Sequence, residues 1–189
     1  MAQVTLRPNA NGFYPQFPVQ VPPSGSHYDK VDDVTPDDLA TYIRTHQESG
    51  VEKRDSFLKA ASGIPVGSTI NWLKICFRHR TFPTEGGVGG EGRSLLRSGG
   101  VDVFGVWVVD EIWLTEEELY ITSPFTGLAW TIDEIDGMEI GVCGVSYYDA
   151  VFFSWAYEFC TQIYIVVDYT PPVVAAKEVV GDGLTFAGA

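Results

Sequence analysis

Positive charge is scarce in this chain: 12 lysines and arginines stand against 25 aspartates and glutamates, for a formal net charge of -13. Such a surface repels nucleic-acid phosphates and anionic membranes, so neither is an expected partner. Cysteine is scarce too, with only Cys76, Cys143 and Cys160. That number is odd and no pair has metal-ligand spacing, which argues against a disulfide framework or a cysteine zinc site. The three histidines, His27, His46 and His79, fall in no HxH or HxxxH pattern, and there is no Gly-x-Ser-x-Gly elbow. Spacing therefore supports neither zinc nor nucleophilic chemistry, and no catalytic residue and no cofactor is expected. No apolar run is long enough to span a bilayer. The start, Met1 to Pro8, lacks the apolar stretch of an export signal and reads directly as a strand, so the expected compartment is a reducing cytoplasm.

What is abundant points to β-structure. Twenty glycines and 11 prolines imply many turns, and a hydrophobic fraction of 45% with 13% aromatics suffices for a core. The expected fold is all-β: a single antiparallel β-sandwich, jelly-roll-like, over residues 1–170, with a C-terminal extension at 171–189. Residues 1–26 read as an N-terminal strand (3–6) followed by a loop arm. From Cys160 to Tyr169 the pattern is a closing strand, with Ile163, Ile165, Val167 and Tyr169 on a core face. Thr69 to Arg80 reads as a second strong strand with Leu73, Ile75 and Phe77 inward. Its other face carries Lys74, Cys76, Arg78 and Arg80, and is either wet or set against acidic groups. Shorter strands are expected at 55–59, 94–97, 101–109, 112–114, 119–122 and 138–145. One helical turn is expected at 131–136, capped by Thr131 with Glu134 at the capping-box position and ended by a left-handed Gly137. Residues 36–46 are ambiguous. Thr35 and Pro36 resemble a helix start, yet 40–45 also reads as a strand after a short turn, which the β context favours.

Several groups invite a functional reading. Asp32, Asp33 and Asp37 lie in an acidic run that could offer oxygen ligands to Ca2+, though the spacing matches no EF-hand; the alternative is a solvated acidic loop. Asp110, Glu111, Glu116 and Glu118 are the candidates for an acid–base pair, but charge runs are usually solvated faces. The glycines between Gly86 and Gly92 lack the Gly-Lys-Ser/Thr ending of a phosphate loop and read as a connection. The aromatic stretch 147–159 stands out. The alternation of Phe153, Trp155, Tyr157 and Phe159 suggests one buried face. Tyr147, Tyr148, Phe152 and Trp155 are candidate interface or ligand residues, together with the tail anchors Val179 and Phe186.

Four segments carry a resemblance: Ile64 to Ile70, Leu95 to Gly100, Thr126 to Thr131 and Cys160 to Tyr169. They resemble a group of uncharacterised β-sandwich (jelly-roll) proteins of tailed phages and environmental sequences, distantly similar to carbohydrate-binding sandwiches. The resemblance covers about residues 60–170 and transfers no catalytic residue. It implies a virion structural protein, head-decorating or tail-associated, assembled in the host cytoplasm. Its partners would be further copies of itself and other capsid or tail subunits. The alternative it leaves open is a carbohydrate-binding module, in which Trp130, Trp155 or Tyr148 would form an exposed platform for glycans.

Overall fold

The computed structural model describes residues 1–82 and 89–173. In chain order the strands are β1 (Ala2–Leu6), β2 (Pro8–Pro15), β3 (Val19–Val21), β4 (Tyr42–Arg44), β5 (Glu52–Lys59), β6 (Thr69–Phe82) and β7 (Glu91–Ser98). β8 (Val101–Phe104), β9 (Leu114–Tyr120), β10 (Glu139–Val145), β11 (Tyr147–Asp149) and β12 (Ser154–Thr170) follow, and α1 (Ile132–Gly137) precedes β10. One sheet runs β3-β4-β12-β6-β9, with β1 and β11 also paired to β12; the other runs β2-β5-β10-β7-β8. All of these ladders are antiparallel, and the two sheets pack face to face as the expected sandwich. Fully buried Leu73, Ile75, Ile140, Val142, Ile163, Ile165 and Val167 fill the space between them. The 3–6, 69–80 and 160–169 strands form as expected, and β6 and β12 pair along nearly their whole lengths.

Four local expectations are corrected, and the ambiguity at 36–46 is resolved. The arm at 10–26 is not a loop: β2 and β3 form there, because the buried Asp55 carboxylate accepts hydrogen bonds from the Gln16 and Phe17 amides and draws Phe17 into the core. At 36–46 the favoured reading holds: a turn leads into β4 and no helix forms. Asp37 Oδ1 accepts from the Thr41 amide, Asp38 takes a left-handed φ of 55°, and Ile43 enters the core from β4. A side chain that captures nearby backbone in this way competes with helix formation. The 101–109 strand stops at Phe104, after which Val108 exchanges both backbone hydrogen bonds with Gly92. The segment 112–122 is one strand, not two, because β9 runs straight through Glu116, Glu117 and Glu118. Finally, α1 has the expected Thr131–Glu134 capping box, but Gly137 is not at positive φ; the chain leaves the helix at an extended Met138.

The second strong strand also resolves its outer face. Lys74 pairs with Glu117 and Arg78 with Asp38, so the acidic neighbours are this chain's own. The tail anchors Val179 and Phe186 lie outside the described residues.

Candidate functional site

The inward face of β6 continues past Phe77 with His79 and Thr81, both fully buried. Period-two alternation therefore carries an imidazole into the interlayer space. On β12 the inward residues are Ala156, Glu158 and Cys160, then Ile163, Ile165 and Val167. The parity switches because the β12–β6 register shifts between Cys160 and Gln162, where one extra residue is accommodated. Such a bulge reverses the facing of everything on one side of it. The expected alternation of 153, 155, 157 and 159 into the core is thus inverted: Trp155, Tyr157 and Phe159 are half-buried on the outer face, and Phe153 is exposed.

Glu158 is the consequence. It is a fully buried carboxylate with no arginine or lysine beside it among the described ion pairs. Two glycines of the opposite sheet make room for it. Gly92 and Gly144 are direct cross-strand partners in β7 and β10. A Cβ on Gly92 would fall 2.2 Å from Glu158 Oε1, and one on Gly144 would fall 2.9 Å from Glu158 Cγ. Within this niche Glu158 Oε1 lies 2.9 Å from His79 Nδ1, while Oε2 has no hydrogen-bond partner. On the other side of the ring, His79 Nε2 lies 3.0 Å from Asp110 Oδ2. Asp110 is held there by its own carbonyl, which accepts from the amide and hydroxyl of Thr81.

The charges follow from this geometry. A neutral imidazole has one N–H, and here a carboxylate faces each ring nitrogen. Burial opposes a charge on His79, but Glu158 and Asp110 outweigh it and its pKa is raised. Burial pushes Glu158 up to about 7, with His79 pulling the other way. Glu116, on the inward side of β9, adds a third carboxylate. Its donor oxygen, one from Asp110 and one ring nitrogen of His79 all lie within 4.8 Å of one another. A cleft of about 100 Å³ opens beside them, lined by Phe77, Ser94, Val106, Val108 and the three glutamates of β9. Glu118 accepts from Ser94 Oγ across that cleft.

Of the four carboxylates considered from the sequence, the fold thus brings Asp110 and Glu116 together; Glu118 is engaged with Ser94 and Glu111 takes no part in the cluster. Sequence reasoning missed His79 and Glu158. His79 could have been placed by extending the Leu73, Ile75, Phe77 row by one step. Glu158 could not, because the bulge that turns it inward has no sequence signature.

The other candidates are distributed differently. Asp33 and Asp37 accept hydrogen bonds from Thr41, and Asp32, whose pKa is raised by burial, is not gathered with them into a converging set of ligand atoms. Tyr147 donates to Glu91 at the base of a hairpin formed by β11 and the start of β12. Tyr148 stacks obliquely on Trp155 with ring centroids 5.0 Å apart. At the tip the Asp149 carboxylate accepts from the Val151 and Phe152 amides. This turn presents Val151 (76% exposed), Phe152 (48%) and Phe153 (81%) to solvent. Trp130 is only 4% exposed, and its indole donates to the Tyr120 carbonyl. No family model matches the chain, and no curated protein matches it.

Proposed function

We propose that this chain is a non-enzymatic structural protein of a tailed phage or virus-like particle, a head-decoration or tail-associated subunit acting through protein–protein contacts. The observation that carries the reading is the 149–153 turn. Three consecutive apolar residues are held in the solvent by a side-chain-capped turn, and Phe153 is at a φ of 51°. A bulky residue in the left-handed region costs about 1–3 kcal/mol, a strain found where function requires a particular presentation. A solitary monomer gains nothing from it. A neighbouring subunit that buries the two phenylalanines gains about 25 cal/mol per Å² of apolar surface, less the cost of ordering the contact. The acidic remainder of the surface keeps free subunits soluble and apart until they dock.

His79 and Glu158 have no exposed side-chain surface, and this reading assigns them a structural role. The experiment is sedimentation of the full chain beside Phe152→Ser/Phe153→Ser, with mass spectrometry of purified particles. The proposal expects concentration-dependent association that the double variant loses at unchanged Tm, and the chain present in particles. A strictly monomeric chain absent from particles overturns it.

The Tyr148–Trp155 pair, with Tyr148 exposed and Trp155 half-buried, favours a second reading, glycan binding, because aromatic rings stack on sugars. The burial of Trp130 removes one of the three rings that reading would use. A glycan array on which binding depends on Tyr148 would support it, and an array without hits would remove it.

A further inference from the structure

We propose that His79 Nε2, Asp110 and Glu116 bind one divalent transition-metal ion, with Zn2+ the best fit, and that Glu158 is the positioning residue that presents His79 to it.

Three independent features meet here. The first is convergence from three separate places in the chain: β6, the segment before β9, and β9 itself. The donor atoms all lie within 4.8 Å, and His79 Nε2 and Asp110 Oδ2 are already 3.0 Å apart. Zinc bonds of about 2.0–2.2 Å place neighbouring ligands roughly 3.4 Å apart in a tetrahedral set. Closing the remaining distance falls to Glu116, whose half-buried side chain makes no hydrogen bond or ion pair among the described residues.

The second feature is Glu158. It is completely buried, has an oxygen without a partner, and is aimed at the cluster through His79 Nδ1. Glu158 occupies Nδ1, so His79 meets Asp110 and Glu116 through Nε2 alone. Without metal an Nε2 proton bridges the ring to Asp110; a divalent cation would displace that proton and take Nε2 and the two carboxylates as ligands. A carboxylate behind a histidine is the arrangement that orients imidazole ligands and raises their basicity. The Gly92–Gly144 niche holds it in place.

The third feature is the charge balance. Asp110 and Glu158 have His79 as their one described ion-pair partner. The cleft beside Glu116 admits water to complete the coordination. One imidazole with two carboxylates suits Zn2+. Ca2+ and Mg2+ prefer all-oxygen sets with six or more ligands. The ion would clamp the segment before β9, and the edge strand β9, onto β6. This inference is independent of the virion reading.

The test uses the full chain, stripped with a chelator and titrated calorimetrically with Zn2+, Mn2+, Mg2+ and Ca2+. The expected result is one Zn2+ per chain, bound more tightly than Mg2+ or Ca2+, with a Tm that rises with Zn2+ concentration. Glu116→Gln should keep the metal-free Tm and lose at least tenfold in Zn2+ affinity. Glu158→Gln preserves the volume of the niche and should lose about 10–100-fold, the range for an outer-shell partner. Co2+ substitution supplies a spectroscopic signature, a visible d–d band in the wild type that is absent in Glu116→Gln. The proposal is overturned if no stoichiometric Zn2+ binds, if Ca2+ or Mg2+ binds as tightly, or if Glu116→Gln binds Zn2+ like the wild type.

Discussion

Replacing Gly92 by alanine is the sharpest probe of how the sandwich holds a carboxylate between its sheets. Gly92 is not at positive φ, so alanine suits its backbone and strain contributes nothing. The entire cost must come from the side-chain space. The new Cβ would lie 2.2 Å from Glu158 Oε1 and 2.5 Å from Cδ. The carboxylate has to shift for that Cβ to fit, and full burial between the sheets leaves it little room to do so. Overpacking alone costs about 1–3 kcal/mol. Displacing the carboxylate also breaks its bond to His79, and breaking a buried ion pair costs about 3–5 kcal/mol. We expect Gly92→Ala to destabilise by about 3 kcal/mol, read as a lowered urea midpoint at constant m-value. The control is Glu158→Ala, which empties the niche. In that background Gly92→Ala should cost less than about 1 kcal/mol, a coupling of about 2 kcal/mol, well above the scatter of additive pairs. Additivity of the two substitutions would refute the reasoning, since Gly92 would then be small for some reason other than Glu158.

Three further outcomes follow from other parts of the fold. Burial pushes the Lys59 ammonium down to about 8, opposed by Asp136, while Lys59 donates to the Ile135 and Asp136 carbonyls at the end of α1. A lysine with a depressed folded pKa weakens the fold below that pKa, and the penalty lifts as pH rises towards the unfolded value. The stability of the wild type relative to Lys59→Met should therefore climb by ~3 kcal/mol from pH 7.5 to 10.5 in urea titrations; a flat difference contradicts it. Asp55→Ala strands the Gln16 and Phe17 amides and His27, and should cost about 3–5 kcal/mol with β2 losing amide-exchange protection first. Thr131→Ala removes the helix cap and should cost about 1 kcal/mol in the same assay; no measurable change would mean that the cap is redundant.

The long strands were legible because their residues alternate without interruption. Leu73, Ile75 and Phe77, and Ile163, Ile165 and Val167, each put one parity in the core. The capping box was legible because it is local, needing only Thr131 and Glu134. What escaped the sequence was non-local or depended on a change of register. The bulge near Thr161 inverts the facing of 154–160, so a stretch that looked like an apolar face is an outer surface, and its lone acid points inward. The three glutamates of β9 looked like a break. They belong to a strand because Lys74 and Ser94 engage two of them from opposite sides. The candidate site is assembled from residues up to 79 positions apart, His79 to Glu158, and no spacing rule links them.

The central claim is that this sandwich works by contact, through the hairpin tip at 151–153. The most direct measurement is a cryo-electron microscopy reconstruction of the native particle at a resolution that traces strands. The account predicts density for this sandwich in the particle, with Phe152 and Phe153 buried against an adjacent subunit. A particle that lacks the chain, or one in which the tip points into open solvent in every copy, would contradict it.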